Sequence, residues 1–153
     1  MTVFLPGLDE IKNVQKVLLD PQQALFNLNF GRYEMHILHS EVPVAEQQLV
    51  FGPAPPGVQR IILSTNIAET SVTIPDVVYV VDAGKCKEKR FDPERHLSSL
   101  VQAFTGLGNM GQRAGRAGRH RPGEYYSLVS HSRLKCLPQN QTVEMKRLDL
   151  SNV

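Results

Sequence analysis

The chain has 153 residues, of which 41% are hydrophobic and 21% charged, so it can fold around a sizeable core and is not intrinsically disordered. No apolar run is long enough to span a bilayer and no signal peptide is visible. The net charge of +2 is too small to indicate a nucleic-acid partner without a local basic surface. Cys86 and Cys136 lie far apart without metal-ligand spacing, which predicts reduced thiols in an intracellular protein of the nucleus or cytoplasm.

The first segment predicts a strand, a turn and a helix. Thr2 to Leu5 form a short apolar run, and Pro6-Gly7 turn the chain. Apolar residues then recur at helical spacing from Leu8 to Leu19, with Asp9 and Glu10 in the first turn, where they suit the positive end of the helix dipole. Taken alone, this pattern describes an ordinary strand-turn-helix unit.

A second strand and a short helix are predicted next. Tyr33 to Leu38 alternate apolar and polar residues, as in a strand, and lead into His39-Ser40. A helix is predicted from Val44 to about Val50, followed by Phe51 and then by a loop of prolines and glycines over residues 52–57. Without other information, Phe51 is more often a core residue than a ligand contact.

Two apolar strands flank a polar segment in the middle of the chain. Arg60 to Ser64 fit a central strand of a parallel sheet, and Val77 to Val81 are the clearest buried strand. Between them, Thr65 to Ile74 supply hydroxyl and amide groups, which can bond a phosphate or a ribose without much bulk. The alternative is that these polar groups only cap the end of a strand.

Residues 85–104 predict a β-hairpin that returns at Asp92-Pro93, with Leu97 to Phe104 as its second strand. In an extended chain, alternate residues share a face. One face of the first strand would therefore carry Lys85, Lys87 and Lys89. A solvated surface hairpin without a binding role is the alternative interpretation.

The octet from Gln112 to Arg119 gathers three arginines and a glutamine. If it is helical, Gln112, Arg116 and Arg119 project within roughly 60° of one another at about 100° per residue. Arg113 points elsewhere. Guanidinium groups are forked donors that suit phosphate oxygens, so this stripe predicts a clamp for a nucleotide phosphate. The alternative is a basic surface helix.

Glycines accompany this octet. Gly115 and Gly118 would each cost about 1 kcal/mol against alanine inside a helix, so local stability alone would not select them. The lead-in over residues 105–111 is also glycine-rich, which predicts a soft start to the helix. After the octet, Glu124 to Val129 predict a last strand and His131 to Cys136 a short helix.

Three segments, in this order, resemble motifs of the DExH-box (DEAH/RHA family) RNA helicases. Residues 3–11 match V-F-L-P-G-x-x-E-I, residues 64–74 match S-T-N-I-A-E-T-S-x-T-I, and residues 112–119 match Q-R-x-G-R-x-G-R without exception. The resemblance implies the second of the two RecA-like domains of an ATP-dependent RNA helicase. Residues 1–137 would form that domain, and residues 138–153 resemble a lead-out towards a winged-helix domain.

The alternation of strands and helices independently predicts an α/β fold with a mostly parallel sheet flanked by helices, here with a β-hairpin insertion. In such sheets, ligands gather at the carboxyl ends of the strands. Four segments follow predicted strands directly and should lie along one edge: Pro6-Gly7, Ser40, Thr65 and Asp82–Gly84.

The resemblance implies that Gln112, Arg116 and Arg119 reach the γ-phosphate of ATP bound to the first RecA-like domain, whereas Arg113 is structural. It also places Phe51 on the adenine. Many members have a ribose-binding aspartate where this chain has Pro75, so the neighbouring Asp76 is the candidate for the ribose. The further residues implied on the nucleotide side are Ser71 and Thr73.

The same resemblance implies contacts to the backbone of single-stranded RNA. Thr65 would meet an RNA phosphate with Asn66 nearby, and Ser40 would touch the RNA backbone. Gly7, at the turn after the first strand, is the fourth candidate. The hairpin in related enzymes helps to part or guide strands.

Half of the catalytic machinery is missing from the sequence. It contains neither a G-x-x-x-x-G-K-[ST] phosphate loop nor a D-E-x-H box, so we expect this chain to be inactive as an ATPase by itself. ATP with Mg²⁺ would bind mainly to the first RecA-like domain, and no metal site is predicted here. The alternatives are a non-catalytic RNA-binding module with a degenerate helicase fold, and a protein-interaction scaffold.

Overall fold

The computed structural model describes residues 1–20, 32–70, 74–92, 94–119 and 121–141. The strands in these ranges are β1 (Thr2–Phe4), β2 (Tyr33–Leu38), β3 (Gln59–Ser64), β4 (Tyr79–Asp82), β5 (Lys85–Asp92), β6 (Leu97–Phe104) and β7 (Glu124–Ser127). The helices there are α1 (Leu8–Leu19), α2 (Val44–Gln48), α3 (Ile67–Thr70), α4 (Leu107–Ala114) and α5 (His131–Leu134). None of these helices combines the length and the apolar character that a bilayer crossing demands.

Five strands form a parallel sheet in the order β2-β3-β1-β4-β7. Phe4 pairs with Ser64 on one side and with Asp82 on the other. Leu38 pairs with Ser64, and Asp82 pairs with Ser127. All five strands therefore end level with one another, at what we call the carboxyl edge.

The two faces of the sheet bury separate hydrophobic clusters, because alternate residues of a strand point to opposite sides. On the back face, Ile61 and Leu63 pack with Ile11 of α1. On the front face, Phe4 and Ile62 pack with Ala68 of α3 and with further apolar residues. Full burial of a side chain of this size contributes about 1.5–3 kcal/mol, so the two clusters together hold the helices against the sheet.

Strands β5 and β6 pair antiparallel as a separate two-stranded sheet, which confirms the predicted hairpin. Its base is closed by a hydrogen bond from the Thr105 amide to the Gly84 carbonyl at 2.9 Å. Lys87 Nζ lies 3.2 Å from Asp9 Oδ2 in the first turn of α1. The hairpin is therefore tied to the domain at its base, whereas Leu97 and Leu100 nearer its tip are exposed.

The α/β fold with a parallel sheet is confirmed, but the prediction of one helix through the arginine octet is wrong. Helix α4 ends at Ala114. The chain then continues through single turns, one of which is closed by the hydrogen bond from the Arg116 amide to the Arg113 carbonyl. Gly118 has φ +77°, a left-handed conformation that commonly follows a helix end. Arg119 therefore does not share a continuous helical stripe with Gln112.

Candidate functional site

The front face brings together three segments that the sequence assigns to the nucleotide. Each contributes an apolar residue to the front-face cluster or packs against it: Val50, Val77 and Ala117. The direct chain neighbours of these anchors are Phe51, Asp76 and Arg116. Because the anchors share one core, the three segments that carry these candidate residues pack on the same side of the sheet.

Three polar residues of the octet keep exposed surface. Arg119 is exposed and Arg116 is half-buried, and Gln112 is exposed at the last turn of α4. Burial lowers the pKa of Arg116 below its ordinary value, and the charge of Arg119 lowers it further, against an opposing effect of Glu69. Arg116 stays charged at neutral pH. A bound anion would favour the charged form of this guanidinium.

Arg113, by contrast, is turned into the interior and is 0% exposed. Its Nε donates to Glu69 Oε2 at 3.0 Å, and its Nη1 donates to Asp82 Oδ1 at 2.8 Å. Burial lowers the pKa of this guanidinium, but Asp82 and Glu69 outweigh that effect and leave the pKa above its ordinary value. This buried position agrees with the prediction that Arg113 has a structural role and does not contact a phosphate.

The buried ion cluster around Arg113 extends to two further side chains. Asn109 Nδ2 donates to the Glu69 carboxylate, and Tyr125 OH donates to Asp82 Oδ2 at 2.8 Å. Burial and the charge of Asp82 both raise the pKa of Tyr125, so its phenol stays protonated as a donor. The cluster joins α3, α4, β4 and β7 at the carboxyl edge, and we call it the Arg113 cluster.

Sequence reasoning missed most of this cluster. Glu69 lies inside a matched motif and Asp82 follows a buried strand, but neither position indicates by itself that Arg113 is its partner. An acidic residue at the end of an apolar strand, two residues before Gly84, was the available signal. The Gly84 amide donates to Asp82 Oδ1 at 2.7 Å, which fixes that carboxylate.

The RNA candidates lie at the carboxyl edge, as the level strand ends require. Ser40 and Asn66 are exposed, whereas Thr65 is 7% exposed and its amide donates to the Leu38 carbonyl at 3.3 Å. Gly7 is buried, and the first carbon of any side chain there would lie 2.6 Å from Lys87 Nζ. An anion that approaches Gly7 would therefore meet the Lys87 ammonium group first.

Two further nucleotide candidates, Phe51 and Asp76, are near a groove at the opposite, amino edge. A groove of about 750 Å³ is lined by Gly52, Pro53 and Asp76, so it brings the loop after Phe51 close to Asp76. Phe51 is 37% exposed, and Asp76 is exposed with φ +56°. Ser71 and Thr73 lie outside the described residues.

The donors present here suit the phosphates of a nucleotide better than its metal. The described part of the chain contains no group of three or more histidine, cysteine, aspartate or glutamate side chains arranged to hold a metal ion. Arginine carries only donors, and a glutamine offers an amide donor as well, which matches phosphate oxygens. Gln112, Arg116 and Arg119 therefore have side chains whose chemistry suits phosphate oxygens.

A family model for the helicase conserved C-terminal domain matches residues 2–121. Over 151 residues the chain is 42% identical to the DExH-box ATP-dependent RNA helicase DExH6 of Arabidopsis thaliana, covering 99% of this chain and 11% of that protein. It is 44% identical over 150 residues to the ATP-dependent RNA helicase DHX30 of Gallus gallus, covering 98% of this chain and 12% of that protein. The chain thus spans only a small part of these relatives.

Among solved structures, the crystal structure of the E. coli DExH-box NTPase HrpB superimposes with a TM-score of 0.86 at 34% sequence identity. The likeness covers 98% of this chain and 18% of that one. A second crystal structure, of the Escherichia coli DEAH/RHA helicase HrpB, gives a TM-score of 0.81 at 33% identity. The predicted RecA-like fold is confirmed by this agreement.

Proposed function

This chain belongs to the helicase conserved C-terminal domain family, in its DExH-box RNA helicase branch, and we propose that it is the second lobe of an ATP-dependent motor that moves along RNA. One observation carries the proposal. The Arg113 cluster holds the end of α4 against the sheet, the half-buried Arg116 and the exposed Arg119 follow that end in the chain, and the RNA candidates lie at the carboxyl edge.

The proposed catalytic part of the front face is a set of hydrogen-bond donors. Arg116, Arg119 and Gln112 would stabilise the charge that develops on the γ-phosphate of ATP during hydrolysis. ATP supplies the phosphoanhydride bond that is broken, and the first lobe of the parent protein would hold it. Arginine fingers of this kind contribute about 10³ to 10⁵ in rate. An anion bound beside Arg116 would also favour the charged form of its guanidinium, whose pKa burial and the charge of Arg119 lower.

The base and the sugar of the nucleotide would lie towards the amino edge. Phe51 is half-exposed beside its loop, where an aromatic ring can stack on adenine. Asp76 is exposed and can accept a hydrogen bond from a ribose hydroxyl. Ser71 and Thr73 are proposed for the nucleotide side on their motif alone.

Single-stranded RNA is proposed to follow the carboxyl edge. Ser40, Thr65, Asn66 and the backbone at Gly7 would contact its phosphates and sugars, which makes binding tolerant of sequence. Thr65 is nearly buried, so it would contact RNA through a small exposed part of its surface. Closing and opening of the cleft between the lobes would move this edge along the strand.

A short bonded path connects the two sets of residues. The Glu69 amide donates to the Asn66 carbonyl at 2.9 Å, and the Glu69 carboxylate accepts from Arg113 at 3.0 Å. Arg113 directly follows Gln112 in the chain. A shift of the octet on the nucleotide side would therefore reach the RNA edge through one buried ion pair, which supports coupling of hydrolysis to movement.

The proposal is tested with Arg116→Ala in the full parent protein. We expect RNA-dependent ATP turnover to fall by about 10³-fold or more, because one arginine finger is removed, while RNA affinity persists. Lys16→Ala, an exposed cation on α1 at the back of the sheet, is the control and should keep normal turnover.

Normal turnover by Arg116→Ala would refute the catalytic assignment. A wild-type parent that binds RNA but hydrolyses no ATP would instead favour a non-catalytic RNA-binding module with this fold. Phosphate release and fluorescence anisotropy of labelled RNA measure the two properties separately.

A further inference from the structure

A second groove, of about 660 Å³, lies at the carboxyl edge between the start of α1, the base of the hairpin and α5. Its walls include Leu5, Ala83 and Val129, each of which closely follows a strand of the main sheet. Phe104, the last residue of the hairpin, also lines it and is 37% exposed. We call it the hairpin-base groove, and none of the nucleotide or RNA candidates named above lines it.

Two cations are held in this groove against one aromatic ring. Lys85 Nζ lies 5.5 Å from the centroid of the Phe104 ring, and Arg133 Cζ lies 5.1 Å from it. Such contacts contribute attraction without neutralising the cations. In the described ranges, neither Lys85 nor Arg133 forms an ion pair with a carboxylate. Both charges are therefore available to an anion.

The acidic side chain that lines the groove is directed to another cation. Glu10 Oε2 lies 3.5 Å from Lys87 Nζ, and Asp9 shares the same ammonium group. The hydrogen bond that Lys87 Nζ donates to Asp9 raises the pKa of Lys87, and the charge of Glu10 adds to this effect against the opposing effect of burial. The groove therefore presents a positive surface next to an apolar floor.

The register of the hairpin extends this surface away from the domain. Paired residues of an antiparallel ladder point to the same face. The pairs on this face are Lys85 with Phe104, Lys87 with Gln102 and Lys89 with Leu100. At about 3.4 Å per residue, the lysines form a stripe about 14 Å long that starts in the groove.

We propose that the hairpin-base groove is a binding subsite for single-stranded RNA, and this rests on the proposed function of the domain. Lys85 and Arg133 bind phosphate oxygens there, and a nucleobase packs on the apolar walls beside Phe104. The RNA path would then run from the edge at Gly7 through Pro6, which also lines the groove, onto the lysine stripe. Alternating cations and apolar groups are the surface that sequence-tolerant binding of a single strand requires.

The test uses the full parent protein and fluorescein-labelled oligouridylate. Arg133→Ala should bind about tenfold more weakly, because a charge-assisted contact to phosphate is lost. The slope of log affinity against log salt should fall by about one, as expected for one phosphate contact. Lys135→Ala removes an exposed cation just beyond α5 that does not line the groove, and it should leave affinity and slope unchanged.

A second measurement does not depend on a variant. Oligouridylate that carries a photoreactive 4-thiouridine should crosslink to the tryptic peptide that contains Phe104 when bound to the wild-type parent. Absence of that crosslink, with crosslinks elsewhere in the same sample, overturns the proposal. Thermal melting of Arg133→Ala separates loss of a contact from loss of the fold.

The groove and the domain's function fail in different ways. If the wild-type parent binds RNA but Arg133→Ala binds equally well with the same salt slope, the groove is not a subsite while the motor assignment stands. If Arg133→Ala only lowers the melting temperature, the groove is covered by another part of the protein and the proposal is wrong. A wild-type parent without RNA affinity refutes both proposals together.

Discussion

At the scale of single residues, Arg113 and its neighbours in the octet have opposite environments. Arg113 is fully buried between Glu69 and Asp82, whereas Arg119, six residues further, is exposed. Removal of a charge from water costs several kcal/mol and is offset only by good geometry and several partners. Arg113 meets that condition through both carboxylates and the ring of Phe4, which lies 5.1 Å from its Cζ.

Arg113→Ala should lower the free energy of unfolding by about 3–5 kcal/mol, because two carboxylates would stay buried without their cation. Arg119→Ala serves as the matched control and should change it by less than about 0.5 kcal/mol, since Arg119 is exposed. Urea denaturation followed by circular dichroism measures both. Equal effects of the two substitutions would contradict the structural assignment of Arg113.

At the scale of elements, the hairpin depends on how the chain leaves β4. Gly84 has φ +65°, which side-chain-bearing residues rarely adopt, and it accepts the hydrogen bond that closes the hairpin base. A side chain at Gly84 would also place its first carbon 2.1 Å from Val129 Cγ2. Both the backbone turn and the close packing therefore require glycine where β4 passes into β5.

Gly57→Ala separates the cost of the left-handed backbone from the cost of close packing, because Gly57 has φ +78° but no atom within 4 Å of an added carbon. We expect Gly57→Ala to cost about 1–2 kcal/mol from the left-handed backbone alone. Gly84→Ala should cost about 1–3 kcal/mol more, because Val129 must also move. The difference between the two midpoints of urea unfolding measures the packing contribution, and identical midpoints would show that Val129 does not constrain the turn.

At the scale of the whole molecule, the proposed function distributes the parts of an ATP site between two lobes. The described residues include the guanidinium donors of Arg116 and Arg119 and no cluster of side chains suited to a metal ion. Phosphoryl transfer needs both metal and donors in place around one phosphate. Under the proposed function, the cleft between the two lobes is where these parts meet.

The chain by itself should therefore release no phosphate from ATP above the uncatalysed rate, with or without RNA. The parent protein, which would supply the phosphate loop and the metal ligands, should hydrolyse ATP under the same conditions. A coupled phosphate-release assay on equal molar amounts makes the comparison. ATP turnover by the isolated chain that is lost in its Arg116→Ala variant would show that this lobe contains a complete site.

Local patterns were sufficient for much of the architecture and for the location of the candidate sites. Apolar runs and turn residues predicted the parallel strands and the hairpin, because hydrophobic periodicity and turn-forming residues determine structure within a few positions of the chain. Ser40 and Thr65 were expected at one edge because each follows a predicted strand directly, and parallel neighbouring strands have their carboxyl ends at the same edge of the sheet. Motif order in the sequence was enough to predict the helicase family.

Only the tertiary structure decided which way the octet's side chains point. The sequence pattern continued a helix to Arg119, but α4 stops at Ala114. Arg113 turns inward because its partners Glu69 and Asp82, 44 and 31 residues away in sequence, reach it across the sheet. The Lys87 side chain lies against Gly7 for the same reason, because these two residues are far apart in the sequence and only folding brings them together. Local periodicity describes a segment's own geometry, whereas burial of a charge depends on partners that folding alone brings into contact.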